Sequence, residues 1–278
     1  MSRTEETAEA AGPFTTRLTW RLSDGSTAVW ESRAARKRGR LTVRGAGEPK
    51  SRSRSADTVS VARLRRLNTL GAGAFAVGGG LFVFGAAVAQ FDTGDATGAW
   101  IYFAGGLFFN TGGYASLLQS VNAPRRDSGT GGLATRRWSW WSYEPGRIDW
   151  LSTFLLFVGT LVFGVNLVGS LLQGLSVQQE NRLVWTPDLI GCTLFLISGH
   201  LALVEVCHGR PGVLPRDLGW WIVAVNQLGS VLFMGSALAD FTRPATGSVL
   251  NIDIANWGTL TGALCFFVGG VLQFFERP

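Results

Sequence analysis

The chain has 278 residues and a net charge of +6; 46% of its residues are hydrophobic, only 16% are charged, and 37 are glycine. Soluble domains carry about 25% charged residues. Here the segments 67–91, 96–124, 150–179, 218–239 and 254–275 hold none, and 186–209 holds only Asp188 and Glu205. That pattern excludes an ordinary soluble fold, because each stretch supplies the ~20 apolar residues that cross a ~30 Å hydrocarbon layer as a helix.

In chain order, residues 1–66 form a basic arm. MSRTEETAEA at the start has no apolar core, so a cleavable signal is not expected and the first membrane helix is expected to direct insertion. Within 13–32, TRLTWRL and STAVWES alternate around Asp24-Gly25, which predicts a β-hairpin. RAARKRGR at 33–40 and SRSR at 51–54 read as a disordered basic linker that attracts anionic lipid headgroups. Three antiparallel helical hairpins are expected next, at 67–122, 148–207 and 218–278, giving an all-α integral membrane bundle of six helices. A basic, Trp-rich loop at 123–147 joins the first two hairpins.

The positions of the charges predict sidedness. Of the 25 Lys and Arg, 15 precede residue 67, five lie in 122–148, two in 208–217 and one at 277. The loops 91–96, 173–185 and 240–252 hold only Arg182 and Arg243. Basic loops stay inside, so both termini are expected in the cytoplasm. The same placement argues against nucleic acid as the partner. Arg exceeds Lys by 23 to 2, which points to a GC-rich bacterial genome.

The hairpins look like copies of one unit. The second helix of each reads G-x3-F-x2-[GS]-G-x5-[EQ], at Gly105, Gly191 and Gly262, with Trp100, Trp185 and Trp257 upstream. An offset of 71 also aligns Trp150 with Trp221 and Gly164 with Gly235, with Gly85 as their mate in the first hairpin. Gly105 and Gly112, Gly191 and Ser198, and Gly262 and Gly269 are each seven apart and share a helix face, and Gly258 extends the last stripe. Such faces let helices approach closely in lipid. They either seat neighbouring helices within the bundle or form a face for homo-oligomers. Two-helix units related this way repeat in parallel, unlike the inverted repeats of many transporters.

Candidate chemistry is sparse. No catalytic, phosphate-binding or metal motif occurs, and only His200 and His208 are present, eight residues apart on or near one helix. No cofactor, metal site or catalytic residue is expected. Cys192, Cys207 and Cys265 read as unpaired small hydrophobes, because their depths keep them apart. Counting helix rise puts His200, Asn226 and Gln227 at matching depth, as a candidate polar cluster. Glu205 and its mate Glu276 are expected at the inner interface, within reach of water. Asn110 and Asn166 read as polar glue.

The stretches LGSVLFMGSA and NWGTLTGALCFFVGGVLQFFERP, with GTLVFGVN and WTPDLIGCTLFLISGHLALVE before them, resemble the YrhK-like group of small bacterial membrane proteins. The likeness covers roughly 148–278. It implies a bacterial cytoplasmic-membrane protein built of two-helix units and supplies no catalytic residues. The expected function is a non-enzymatic membrane scaffold or interaction protein. The alternative is a small-solute or ion transporter or channel with a path near His200, Asn226 and Gln227.

Overall fold

The structure, a computed structural model, describes residues 6–45, 51–91, 97–126, 132–134 and 137–276. The expected outer loop at 91–96, part of the 123–147 loop and Arg277-Pro278 fall largely or wholly outside them.

The N-terminal region is more ordered than its composition suggests. Strands β1 (Glu6–Ala11), β2 (Phe14–Arg21), β3 (Thr27–Glu31), β4 (Arg40–Arg44) and β5 (Ser51–Ser55) form one antiparallel meander in that order. The expected hairpin is the β2–β3 pair. Its turn is closed by Leu22 N–H to Ser26 O at 2.8 Å, with Gly25 at φ 78° and Asp24 accepting from the Ser26 amide. Two strands alone are marginal; three further strands and a core of Trp20, Ala28 and Leu41 support this pair. The basic stretch expected to be disordered instead forms helix α1 (Ser32–Arg38) and strand β4. Gly39 ends α1 in the left-handed conformation, φ 60°, and its N–H bonds to Ala35 O.

The first long helix, α2 (Thr58–Phe91), begins nine residues before the apolar run at 67, because Asp57 caps it by accepting from the Ser60 amide at 2.8 Å. There follow α3 (Thr97–Val121), α4 (Ile148–Gly169), a short α5 (Val177–Glu180) that runs through a π turn (Asn181–Trp185) into α6 (Thr186–Val206), then α7 (Leu218–Ala239) and α8 (Ile252–Phe275). Among the described residues, five spans can cross a membrane by length and composition: Thr58–Gln90, Ile148–Gly169, Val177–Val206, Leu218–Ala239 and Ile252–Phe275. Six were expected. The missing one is α3, which is uncharged but diluted by Tyr102, Asn110, Tyr114 and paired glycines.

The long helices close into a ring, α2–α3–α4–α6–α7–α8 and back to α2. Each contributes a phenylalanine to the centre, Phe82, Phe109, Phe163, Phe195, Phe233 and Phe266, and α2 adds a second, Phe75. Ring centroids lie 5.1 Å apart for Phe82–Phe109, 6.0 Å for Phe163–Phe195 and 5.3 Å for Phe233–Phe266. Each phenylalanine follows a glycine by four residues, and the paired glycines face one another. A Cβ on Gly105, Gly191 or Gly262 would stand 3.2, 3.3 or 3.1 Å from the carbonyl oxygen of Gly78, Gly159 or Gly229. The first-helix glycines at this contact are therefore 78, 159 and 229, not the aligned set 85, 164 and 235. Gly85 meets Tyr102, Gly164 only the Asn110 amide, and Gly235 open space. The shift also separates Trp150, which is buried, from Trp221, which is exposed.

The small-residue stripes are occupied within the chain. Gly112 abuts Phe75, Gly258 abuts Ser236, and Gly269 abuts Asn226. Ser198 Oγ donates to Ser152 O at 2.8 Å, and Ser152 Oγ returns a bond to Ser198 O at 3.0 Å. A tight seam joins α2 to α8, where a Cβ on Gly270 or Gly79 would lie 2.7 Å from the backbone nitrogen of Ala76 or Phe267. Backbone cannot yield as a side chain can. Gly270→Ala and Gly79→Ala should each cost about 1–3 kcal/mol, read as a lower thermal midpoint in detergent. Gly235→Ala should cost nothing.

Candidate functional site

The end of the ring where α6 and α8 finish and α7 begins gathers most of the buried charge. The inward face of each second helix runs on in steps of seven: Gly105, Gly112, Gln119; Gly191, Ser198, Glu205; Gly262, Gly269, Glu276. Steps of seven return to the same face, so the polar residue that ends each motif also points inward. Gln119, Glu205 and Glu276 are 1, 1 and 5% exposed. The two carboxylates do not reach water, contrary to the expectation for an interfacial pair.

Helix α1 answers them. Arg36 Nη2 donates to Glu205 Oε2 at 3.0 Å, and Ser32 Oγ donates to Glu205 Oε1 at 2.7 Å. Arg33 grips Glu276 with two bonds, Nε to Oε1 at 3.0 Å and Nη2 to Oε2 at 3.1 Å. Arg33 and Arg36 are three apart and lie on one face of α1, so a single helical turn serves two long helices. Burial opposes the charge of Glu276, but Arg33, Lys37 and Arg36 outweigh it and hold the carboxyl below its usual range.

Lys37 is different. It is buried, among the described residues it bonds only Asn68 Oδ1 at 3.0 Å, and desolvation pulls its pKa down to about 7 although Glu276 opposes the shift. Asn68 is tied in turn to Gln273, which donates to its Oδ1 at 3.0 Å. A second ionic knot closes the start of α4. There Arg147 bonds Glu144 Oε2 at 2.7 Å, Asp149 Oδ1 at 3.1 Å and Ser120 O at 3.1 Å.

Beneath α1 lies a cavity of about 100 Å³, bordered by Arg33, Arg36, Lys37, Ser116, Asn226 and Ser230 and floored by Phe195 and Phe266. A second cavity of about 170 Å³ occupies the other half of the bundle. Phe82, Phe163 and Phe233 line it together with Asp188, Asp240 and Asn256. Burial, and then Glu180, raises Asp240 to about 6. The phenylalanine layer separates the basic cavity beneath α1 from the acidic one.

The expected polar cluster is not assembled. Asn226 borders the cavity beneath α1, against Gly269. Gln227 instead packs on Gly199 and donates weakly to Leu196 O at 3.4 Å. His200 faces out of the bundle, exposed on the same stripe as Thr193 and Ile197. Rise along the helix gave the right depth but not the direction around it. The buried face at Gly191, Phe195 and Ser198 already implied that direction, since residue 200 is turned about 200° from 198. Asn166 is buried, with its carbonyl and side-chain oxygens facing the Ser170 hydroxyl, and Asn110 Oδ1 is buried without a partner among the described residues. Among the described residues no three His, Cys, Asp or Glu side chains gather to hold a metal, and the three cysteines are free. Sequence reasoning missed Arg33, Arg36, Lys37, Arg147 and Asp149, all assigned to loops or helix ends.

Comparison with family models, curated proteins and solved structures finds no match, so the functional reading rests on the geometry.

Removing one partner of a buried pair strands the other's charge, at a cost of about 3–5 kcal/mol. Arg36→Met alone and Glu205→Met alone should each lower the thermal midpoint sharply. The double variant Arg36→Met with Glu205→Met should recover most of the loss.

Proposed function

We propose that this chain is a non-enzymatic membrane scaffold whose six-helix bundle holds a folded β-sheet at the cytoplasmic face of a bacterial membrane. The observation that carries this reading is the α1 clamp, Arg36–Glu205 and Arg33–Glu276, which fixes the sheet to the ends of α6 and α8. A sheet attached by buried ion pairs is positioned for contacts, as a tethered arm is not. Both termini are cytoplasmic in this reading, supported by the basic residues of the N-terminal region and of the two loops on its side. The basic residues outside the clamp attract anionic headgroups there. Helix α3 is the sixth span; at 25 residues and about 37 Å it is long enough, and its Phe109 shares the central layer. The contact common to the three helix pairs, with the likeness to YrhK-like two-helix units, supports descent from one repeated hairpin.

The two cavities favour a second reading, a conduit for a small solute or ion. In it the phenylalanine layer is the closed gate and α1 the inner plug. The candidate path then runs past Asn226, not His200 or Gln227.

Proteoliposome flux separates the two. The scaffold reading expects no ion or small-solute flux above empty vesicles, both for the wild type and for Glu205→Gln/Glu276→Gln, which loosens α1. Flux through the folded double variant would replace the scaffold with a plugged conduit. Labelling of single cysteines at Gly25 and Gly212 from the cytoplasmic side only, and at Ser176 from the outside only, is the expected orientation.

A further inference from the structure

We infer that the cavity beneath α1 is a binding site for a small monovalent anion, of halide to acetate size, received by Lys37 and Arg36. The inference starts from charge. Helix α1 brings Arg33, Arg36 and Lys37 to the cavity; Glu276 and Glu205 pair with the two arginines, and Asp217 adds a third carboxylate beside Arg33. The position on α3 that corresponds to those glutamates is Gln119, which is neutral. One of the three cations nevertheless makes no ion pair among the described residues. It is Lys37, which has no carboxylate within ion-pair distance among the described residues. It makes one hydrogen bond there, where an ammonium offers three donors.

Geometry supplies the second observation. Arg36 is 5% exposed, and its Nε is buried with no acceptor among the described residues, while Nη2 is committed to Glu205. Buried donors of a charged group are rarely left open. The cavity they border also carries the hydroxyl residues Ser116 and Ser230. A volume of about 100 Å³ holds several waters, at roughly 10–15 Å³ each. It therefore admits nitrate or acetate and excludes a nucleotide or lipid headgroup. One ammonium without an ion-pair partner, beside arginines already held by carboxylates, suits a monoanion rather than doubly charged sulfate or phosphate.

Binding should depend on pH. The charged groups acting on Lys37 are Glu276 after α8, Arg36 and Arg33 on its own helix, and Glu205 at the end of α6; Asp217 before α7 acts on Arg33, Asp149 at the start of α4 acts on Arg36, and α2 supplies the neutral Asn68. Anion binding favours the protonated amine. With the Lys37 pKa near 7, affinity should rise as pH falls, by about tenfold from pH 8 to pH 6.

The test is titration of the purified full-length protein in nanodiscs with chloride, nitrate or acetate at constant ionic strength, read by thermal shift, with gluconate as the bulky control. Saturable stabilisation by the small anions, tighter at pH 6 than at pH 8, is expected. Lys37→Met should abolish it. Lys37→Arg, which keeps its charge, should bind with little pH dependence, and it serves if the methionine variant fails to fold. No saturable shift in the wild type, or an equal shift in Lys37→Met, would overturn the site. Nanodisc binding needs no passage across the bilayer, so the outcome stands apart from the flux experiment.

Discussion

Arg33 and Arg36 meet Glu276 and Glu205 where neither carboxylate reaches bulk water, and the placement of the whole N-terminal region follows from that meeting. A charge in such surroundings costs several kcal/mol unless it is paired and hydrogen-bonded. Helix α1, only seven residues long, has little stability of its own. It is held by its partners, and it positions strands β3 and β4 on either side of it. The acidic ends of α6 and α8 cannot be left uncovered, and the basic helix cannot be left unanchored.

Below the clamp a different constraint operates. Lipid offers no hydrophobic drive for helix association, so close packing has to supply it. The glycine-to-glycine contacts at 78/105, 159/191 and 229/262 bring the helices of each pair together. The phenylalanines one turn on then fill the axis. Aromatic contacts of this kind contribute about 0.5–1.5 kcal/mol each beyond burial. The same layer divides the interior into a basic and an acidic chamber, so one packing device shapes both stability and the space available to ligands.

Much of this was legible in the sequence. Charge-free runs located the long helices, Asp24-Gly25 located the hairpin turn, and the second-helix motif located Gly105, Gly191 and Gly262. The gaps have physical causes. RAARKRGR reads as solvated because composition is blind to a partner 169 residues away, as Arg36 is to Glu205. Yet the seven-residue step from Ser198 to Glu205 and from Gly269 to Glu276 already turned both carboxylates inward. His200 was misplaced because depth was matched without direction. The alignment through Gly85, Gly164 and Gly235 missed the contact glycines Gly78, Gly159 and Gly229 because glycine is too common in these helices to fix a register. Asp57 lies before the apolar run, so the start of α2 at Thr58 belongs to a capping signal and not to hydropathy.

The claim on which all of this depends is that α1 is a buried structural element rather than a solvated basic tail. Hydrogen–deuterium exchange on the full-length protein in lipid nanodiscs addresses it directly. The amides of residues 36–39 should be protected as strongly as those at the inner ends of α6 and α8, and they should open together with β3 and β4 when Glu205 and Glu276 are both made glutamine. Complete exchange of 36–39 within seconds in the wild type, with α6 and α8 still protected, would contradict the account.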